Sequence, residues 1–545
     1  SGRFSQIKTD GYRDRSWVDF KSYFFGAARF GKRSTLRLHA YGGPLEDHLA
    51  FYGISKEAAK NKETRRDNPI VRPDELENFN QPHLELFHQY QIKDDLVLNN
   101  TLFGIRGYGF FDYDGSWAPA SYFRLTPEYG FSDKFDPETI FVDDLLIRAY
   151  VDNKQIGWLP YLTWHNNKAT VVLGSEIRIH RSLHWGRIQE GSTELPKAVS
   201  GEYSGHDYIG SRRYYEYKGA KDIISPYVHS RYRFSERIMG TFDLQLNHLR
   251  YQLYDEKFIR TDFEQVYNFL NPRVGINYSL NRNTSIFFSY SRTSREPRLK
   301  NLYDAAEAST PASWGAIVPQ FKRNPDGSFN FDEPLVGPES LNDFEVGLGY
   351  KTDSFFADIN LFYMDFKDEI IKKGQLDRFG QPITGNAERT LHTGVELSGG
   401  VTFSSKLTAV ANLSFSNNEL KKYTVYAGGG TPTPLDGNPI GGFPDLLANA
   451  RITYQNMGFT ASFAMQHVGQ QYTDNFKNDE NMVDAYTAAN GMIGFDLGNR
   501  VGLAGLTIQL HVQNIFDSLY IAHGEGEAFF PAAERQVFVN TKVDL

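Results

Sequence analysis

Along residues 341–403 apolar and polar positions take turns. Phe344, Val346, Leu348 and Tyr350 are apolar, and Glu345, Gly347 and Gly349 between them are charged or bare. Successive side chains of a strand point to opposite faces, so the run predicts a strand with one greasy face and one polar face. Lys351-Thr352-Asp353-Ser354 is a tight polar turn. A longer strand follows, with Ala357, Ile359, Leu361 and Tyr363 on one face and Asp358 and Asn360 on the other. A loop of about a dozen and a half residues is expected next, before a strand resumes near Arg389; that length points to an exposed, functional connection.

The whole chain repeats this unit of strand, tight turn, longer strand and long loop. Strands are expected over 2–9, 16–30 and 34–41, then near 82–92 and over 96–113, and so on to a last strand over 535–545. Residues 43–81 and 295–340 read as long loops. The count is about 20 strands, with short turns and long loops in strict alternation, as in a transmembrane barrel. A propeller would repeat every 40–50 residues or so, and no such repeat is present. The chain reads as all-β, a large antiparallel transmembrane β-barrel whose closure satisfies the backbone in lipid. A barrel so wide needs a channel or a plug.

Composition sharpens this. Aromatics make up 15% of the 545 residues, with Phe 42 and Tyr 32, and such rings gird barrels at both bilayer interfaces. Mean hydropathy is only −0.48, and no run approaches the roughly 18 apolar residues of a spanning helix. Cysteine is absent, which excludes a disulfide frame and thiolate metal sites. A net charge of −8 argues against a nucleic-acid partner. The N-terminus carries no signal peptide, so it is either cleaved or starts downstream of one.

FSQIKTDGYRDRSWVDFKSYFFG at 4–26, LNPRVGINYSLNRNTSIFFSYSRTSREP at 270–297 and NLFYMDFKDEII at 360–371 resemble TonB-dependent outer-membrane transporters. So do ITGNAERTLHTGVEL at 383–397, VGQQYTDN at 468–475 and VQNIFDSLY at 512–520. The version with GYRDRS and FGKRSTLRL looks closest to transporters of Bacteroidota-like bacteria. The resemblance implies a barrel of about 22 strands with a plugged lumen. Residues 1–545 would then be its barrel domain, a portion of a longer protein, lacking the plug and about two strands. It also implies a bacterial outer-membrane location and uptake energised by the TonB-ExbB-ExbD system acting on that plug. The ligand would be scarce and bulky: a ferric siderophore or other iron chelate by preference, otherwise haem, cobalamin or a glycan.

Candidate ligand contacts lie where loops and upper lumen converge: Trp117, Tyr122, Tyr129, Arg212, Arg213, Arg295 and Trp314. Arginine suits anionic chelates through its fork of donors, and aromatic rings give flat apolar contact. A solvated or self-packed loop side chain is the commoner arrangement for each. His180 and His184 have a helical metal-pair spacing, but along a strand they stand about 13 Å apart, too far for one metal. Asp365, Asp368 and Glu369 cluster at a strand's upper end without the pocket that paired catalytic acids need. Gly428-Gly429-Gly430 lacks the following helix of a phosphate cradle. The chain shows no enzyme signature, and no cofactor is expected. Three rival readings remain: a passive porin, a non-transporting surface receptor, and a soluble β-rich protein.

Overall fold

A computed structural model describes residues 1–131, 139, 141, 144–191, 213–304, 319–376, 382–426, 432–498 and 505–543. One antiparallel sheet dominates, joined from 22 segments. Two pairs of these segments are single strands with an interruption. Ser34–Gly42 runs on into Pro44–His48, and both pair with Val18–Phe30. At the break, a Cβ on Gly43 would collide with the Lys21 carbonyl, so the kink needs glycine. Likewise Leu76–Asn80 runs on into His83–Lys93, and both pair with Leu96–Asp114. Joining each pair leaves 20 strands among the described residues, each beside its neighbour in sequence. Short turns such as 31–33, 94–95 and 352–354 alternate throughout with longer connections at the other rim.

The predicted faces are present. Phe344 lies opposite Tyr363, Val346 opposite Leu361 and Leu348 opposite Ile359. These six are 41–46% exposed, on one side of the sheet. Rows of large apolar side chains facing outward on nearly every strand would be an aggregation surface in water; in lipid they are the seat of the barrel. On the strand Ala169–Glu190 the apolar face runs from Val171 to Ile179, a rise of about 26 Å, the height of a bilayer's apolar band.

Several strands outrun that band. Phe355–Leu376 has 22 residues and Pro382–Ser404 has 23. The loop expected after Tyr363 is therefore mostly strand, and only 377–381 separate the two. Above the band neither face meets lipid: Ile371 and Ala387 pack with Leu420, Tyr423, Leu435 and Ile440, so alternation no longer marks the strand. The expected loop over 43–81 is shortened in the same way by Pro44–His48 and Leu76–Asn80. Between them lies a short helix, Lys56–Lys60, capped by the Ser55 hydroxyl.

Among the described residues the first strand pairs only with Val18–Phe30 and the last only with Leu506–Gln513. The loops tie the two ends of the sheet together instead. Ile54 and Phe529 exchange backbone hydrogen bonds of 2.9 and 2.8 Å, and both pack with Ala59, Val483 and Ile521. The fully buried Arg65 donates to the carbonyls of Tyr520 and Ala532. Arg13, from the GYRDRS stretch, donates to the carbonyls of Ala50, Tyr52 and Asp67.

Candidate functional site

At the long-loop rim an aromatic core roofs part of the lumen. Residues 120–123 and 127–129 form two 3-10 turns, with Arg124 and Gly130 in the left-handed region just after them. Phe123 has no exposure and meets the rings of Tyr122 and Tyr214 edge-on at 5.1 and 5.3 Å. Arg124 donates from Nε to the Tyr214 carbonyl at 2.7 Å, and its guanidinium covers the Phe258 ring at 4.7 Å. Sequence reading misses Arg124; nothing distinguishes it from other loop arginines except its aromatic neighbours.

The seven candidate contacts divide. Trp117, Tyr122 and Tyr129 come together here. Tyr122 is buried in the core, Tyr129 sits edge-on to Phe258, and the half-exposed Trp117 leans on Tyr122 while donating to the Asp114 carbonyl. Arg213 stands apart, over the Trp185 ring at 4.5 Å and paired with Glu216. Arg295 is paired with Glu339 at 2.8 Å. Arg212 and Trp314 lie outside the described residues, as does Gly428-Gly429-Gly430.

Beneath this roof the inner wall holds a cavity of about 450 Å³, within the roughly 300–1,000 Å³ of small-molecule sites. The strand Ala169–Glu190 supplies His180, Ser182 and His184, on the face opposite lipid-facing Ile179. Tyr217 and Lys221 face them from Arg213–Arg233, directly opposite His184 and His180. Tyr251, Leu299, Lys300, Tyr303 and Asp304 also line it. Because the strand runs unbroken past both histidines, they stay on separate steps of it. A signal for this wall was present in the sequence: His180, Ser182 and His184 alternate on the face opposite an apolar one.

The cavity offers planes and donors. His184 stacks on Tyr217, ring centres 5.0 Å apart and planes within 10°. Burial, with a smaller contribution from His180, pushes the His184 imidazole down to about 4, so it is neutral at neutral pH. Burial pushes the phenols of Tyr217, Tyr251 and Tyr303 up, so they keep their protons and can donate. Lys221 and the Tyr251 hydroxyl both donate to one oxygen of Glu296, at 2.7 and 3.1 Å. Such a lining can stack on a planar group and donate to its oxygens.

A second polar cluster sits high on the wall. At Asp368 the backbone turns left-handed, φ 55°, and the neighbouring Glu369 accepts from the Thr390 hydroxyl and from His392 Nε2, the latter at 3.1 Å. His392 Nδ1 lies 2.7 Å from Asn418 Oδ1. Asp365 holds Arg389 through two bonds of 2.9 and 3.2 Å. Burial alone would lower His392, but Glu369 and Asn418 outweigh it and raise its pKa above 6.5. A raised histidine adds stability that is complete below its unfolded pKa and disappears as pH rises through the folded value. Glu369→Gln should therefore cost the most thermal stability near pH 5.5, and less as pH rises above neutrality. A pH-independent difference in unfolding temperature would contradict the coupling.

Residues 11–515 match the model of the family described as TonB dependent receptor-like, beta-barrel. The chain belongs to that family. This TonB-dependent receptor barrel is thus an outer-membrane β-barrel. Among solved structures it is similar to the ferric citrate transporter FecA, with 14% identity, a TM-score of 0.71, 99% of this chain and 73% of that one. It is also similar to the ferric yersiniabactin uptake receptor FyuA from Yersinia pestis, with 13% identity, a TM-score of 0.68, 100% of this chain and 75% of that one. The copper transporter OprC gives 15% identity and a TM-score of 0.70, over 99% of this chain and 76% of that one. Among curated proteins, the ferrichrome outer membrane transporter/phage receptor of Escherichia coli (strain K12) is 29% identical over 150 residues. That match spans 26% of this receptor barrel and 18% of the transporter's length.

Proposed function

We propose that this barrel belongs to an energised outer-membrane receptor that takes up an iron chelate. The observation that carries the reading is a roofed luminal cavity, lined by stacked rings and proton donors, inside a barrel of the TonB-dependent receptor family. Ferric ions in the names of the similar transporters favour iron over other cargo. In this reading His184 and Tyr217 stack against the chelate's planar groups. Lys221 and Tyr303 meet its oxygens, with Trp117, Arg213 and Arg295 as outer contacts. Energy would come from the TonB-ExbB-ExbD system through the plug that the family resemblance implies.

The test is uptake of radiolabelled ferric citrate and ferric tris-catecholate by cells carrying the complete protein. Accumulation of one of them that stops when the proton-motive force is collapsed is the expected result. Accumulation indifferent to that force, with steady ion conductance, would replace this reading by the passive porin.

A further inference from the structure

The segment 296–304, which follows the strand Thr284–Arg295, closes one side of the cavity with Leu299, Lys300, Tyr303 and Asp304. Glu296, at its root, reaches the lowest row of the lining. There His180, Lys221 and Tyr251 stand in register on three neighbouring strands. The Glu296 side chain is 14% exposed, and its Oε1 accepts from both the Lys221 ammonium at 2.7 Å and the Tyr251 hydroxyl at 3.1 Å. The same ammonium lies over the Tyr251 ring, 4.8 Å from its centre.

An ammonium and a phenol converging on one oxygen form a receptor for an anionic oxygen. Here the protein fills that receptor itself. Besides Lys221 the lining carries one further ammonium and one carboxylate, Lys300 and Asp304. With Glu296 in place the cavity therefore has no surplus positive charge; with Glu296 withdrawn, Lys221 supplies one. Other contacts keep the segment seated. Arg295 pairs with Glu339 at 2.8 Å, Asn301 donates to the Thr384 hydroxyl at 2.7 Å, and Leu302 and Tyr303 are buried in the aromatic core. The Glu296 carboxylate can leave its two donors without unseating the wall.

On the reading of this cavity as the ligand site, we propose that Glu296 is a tethered competitor of the ligand. Its carboxylate holds the anion position between Lys221 and Tyr251 until an acidic oxygen of the ligand replaces it there. Glu296 is then a determinant of specificity. A ligand with a carboxylate or phenolate oxygen exchanges one charge-assisted contact for another. A neutral ligand of the same shape has nothing to exchange and leaves both donors on Glu296.

The test titrates the full-length protein in a neutral detergent with benzoate, a planar ring bearing one carboxylate and no iron, and with benzamide, its neutral counterpart. In Glu296→Gln the amide oxygen still accepts from both donors, so the wall is kept, but a neutral acceptor holds an ammonium about half as strongly. Benzoate should therefore bind Glu296→Gln about tenfold more tightly than the parent. Benzamide should bind both alike. In a Lys221→Gln background the same change should bring no gain, because the cation competed for is gone. Equal benzoate affinity in parent and Glu296→Gln, or none in either, would overturn the proposal. A gain of the same size in the Lys221→Gln background would also overturn it, since Glu296 would then repel anions without competing for Lys221. Titration with ferric citrate and ferric tris-catecholate separates this from the choice of cargo. Binding of neither chelate, with the benzoate pattern intact, would keep Glu296 as the competitor and remove the iron chelate as the ligand.

Discussion

Replacing Arg13 by alanine is expected to free the long loop that follows the third strand. Its guanidinium is 9% exposed and donates to three backbone carbonyls spread over residues 50–67. The alanine variant leaves those carbonyls without a partner, at about 1–3 kcal/mol for each that stays dry. The sheet itself loses nothing, because its ladders do not pass through Arg13. Amide exchange over 49–68 should therefore rise on the order of a hundredfold, while exchange in the strands is unchanged. Arg13→Lys should not rescue it, since one ammonium cannot reproduce a planar fork. Unchanged exchange over 49–68 in Arg13→Ala would show that the loop is held by other contacts.

Phe123→Ala should have a comparably large effect on the next long connection of the rim. The ring is wholly buried between Tyr122 and Tyr214, and truncating such a ring costs about 3–5 kcal/mol. That exceeds what a single roof of loops can absorb, so residues 117–131 should loosen together with Tyr214 and Tyr215. The barrel's own unfolding transition in detergent should stay within a few degrees of the parent's. Protection of 117–131 equal to the parent's would mean that the roof is held by the barrel and not by this core.

How much of this was legible in the sequence follows from where lipid is. Below Tyr363 the outward face meets lipid and the inward face is largely polar, so the alternation of Ile359, Leu361 and Tyr363 with Asp358 and Asn360 marks the strand. Above it, Ile371 packs into a loop core and Glu369 turns to His392, and the same strand reads as loop although it continues to Leu376. The 20-strand count survived because turns such as 352–354 are marked by their own polar residues. The candidate site was less legible. Aromatic and arginine residues in loops do not reveal whether they face a ligand or one another, and Tyr122 proves to be packing. His180, Ser182 and His184 carried the better signal in their shared face, which metal spacing alone obscures.

The absence of cysteine makes one measurement especially direct. Ser182→Cys places the single thiol of residues 1–545 on the cavity wall, and Asp353→Cys instead places it in a short turn at the far rim. Labelling of the purified protein by a small maleimide is followed with and without ferric citrate or ferric tris-catecholate. One of these chelates should slow labelling at position 182 about tenfold or more and leave position 353 unaffected. Labelling at 182 that proceeds at the same rate with saturating chelate bound elsewhere on the protein would contradict it.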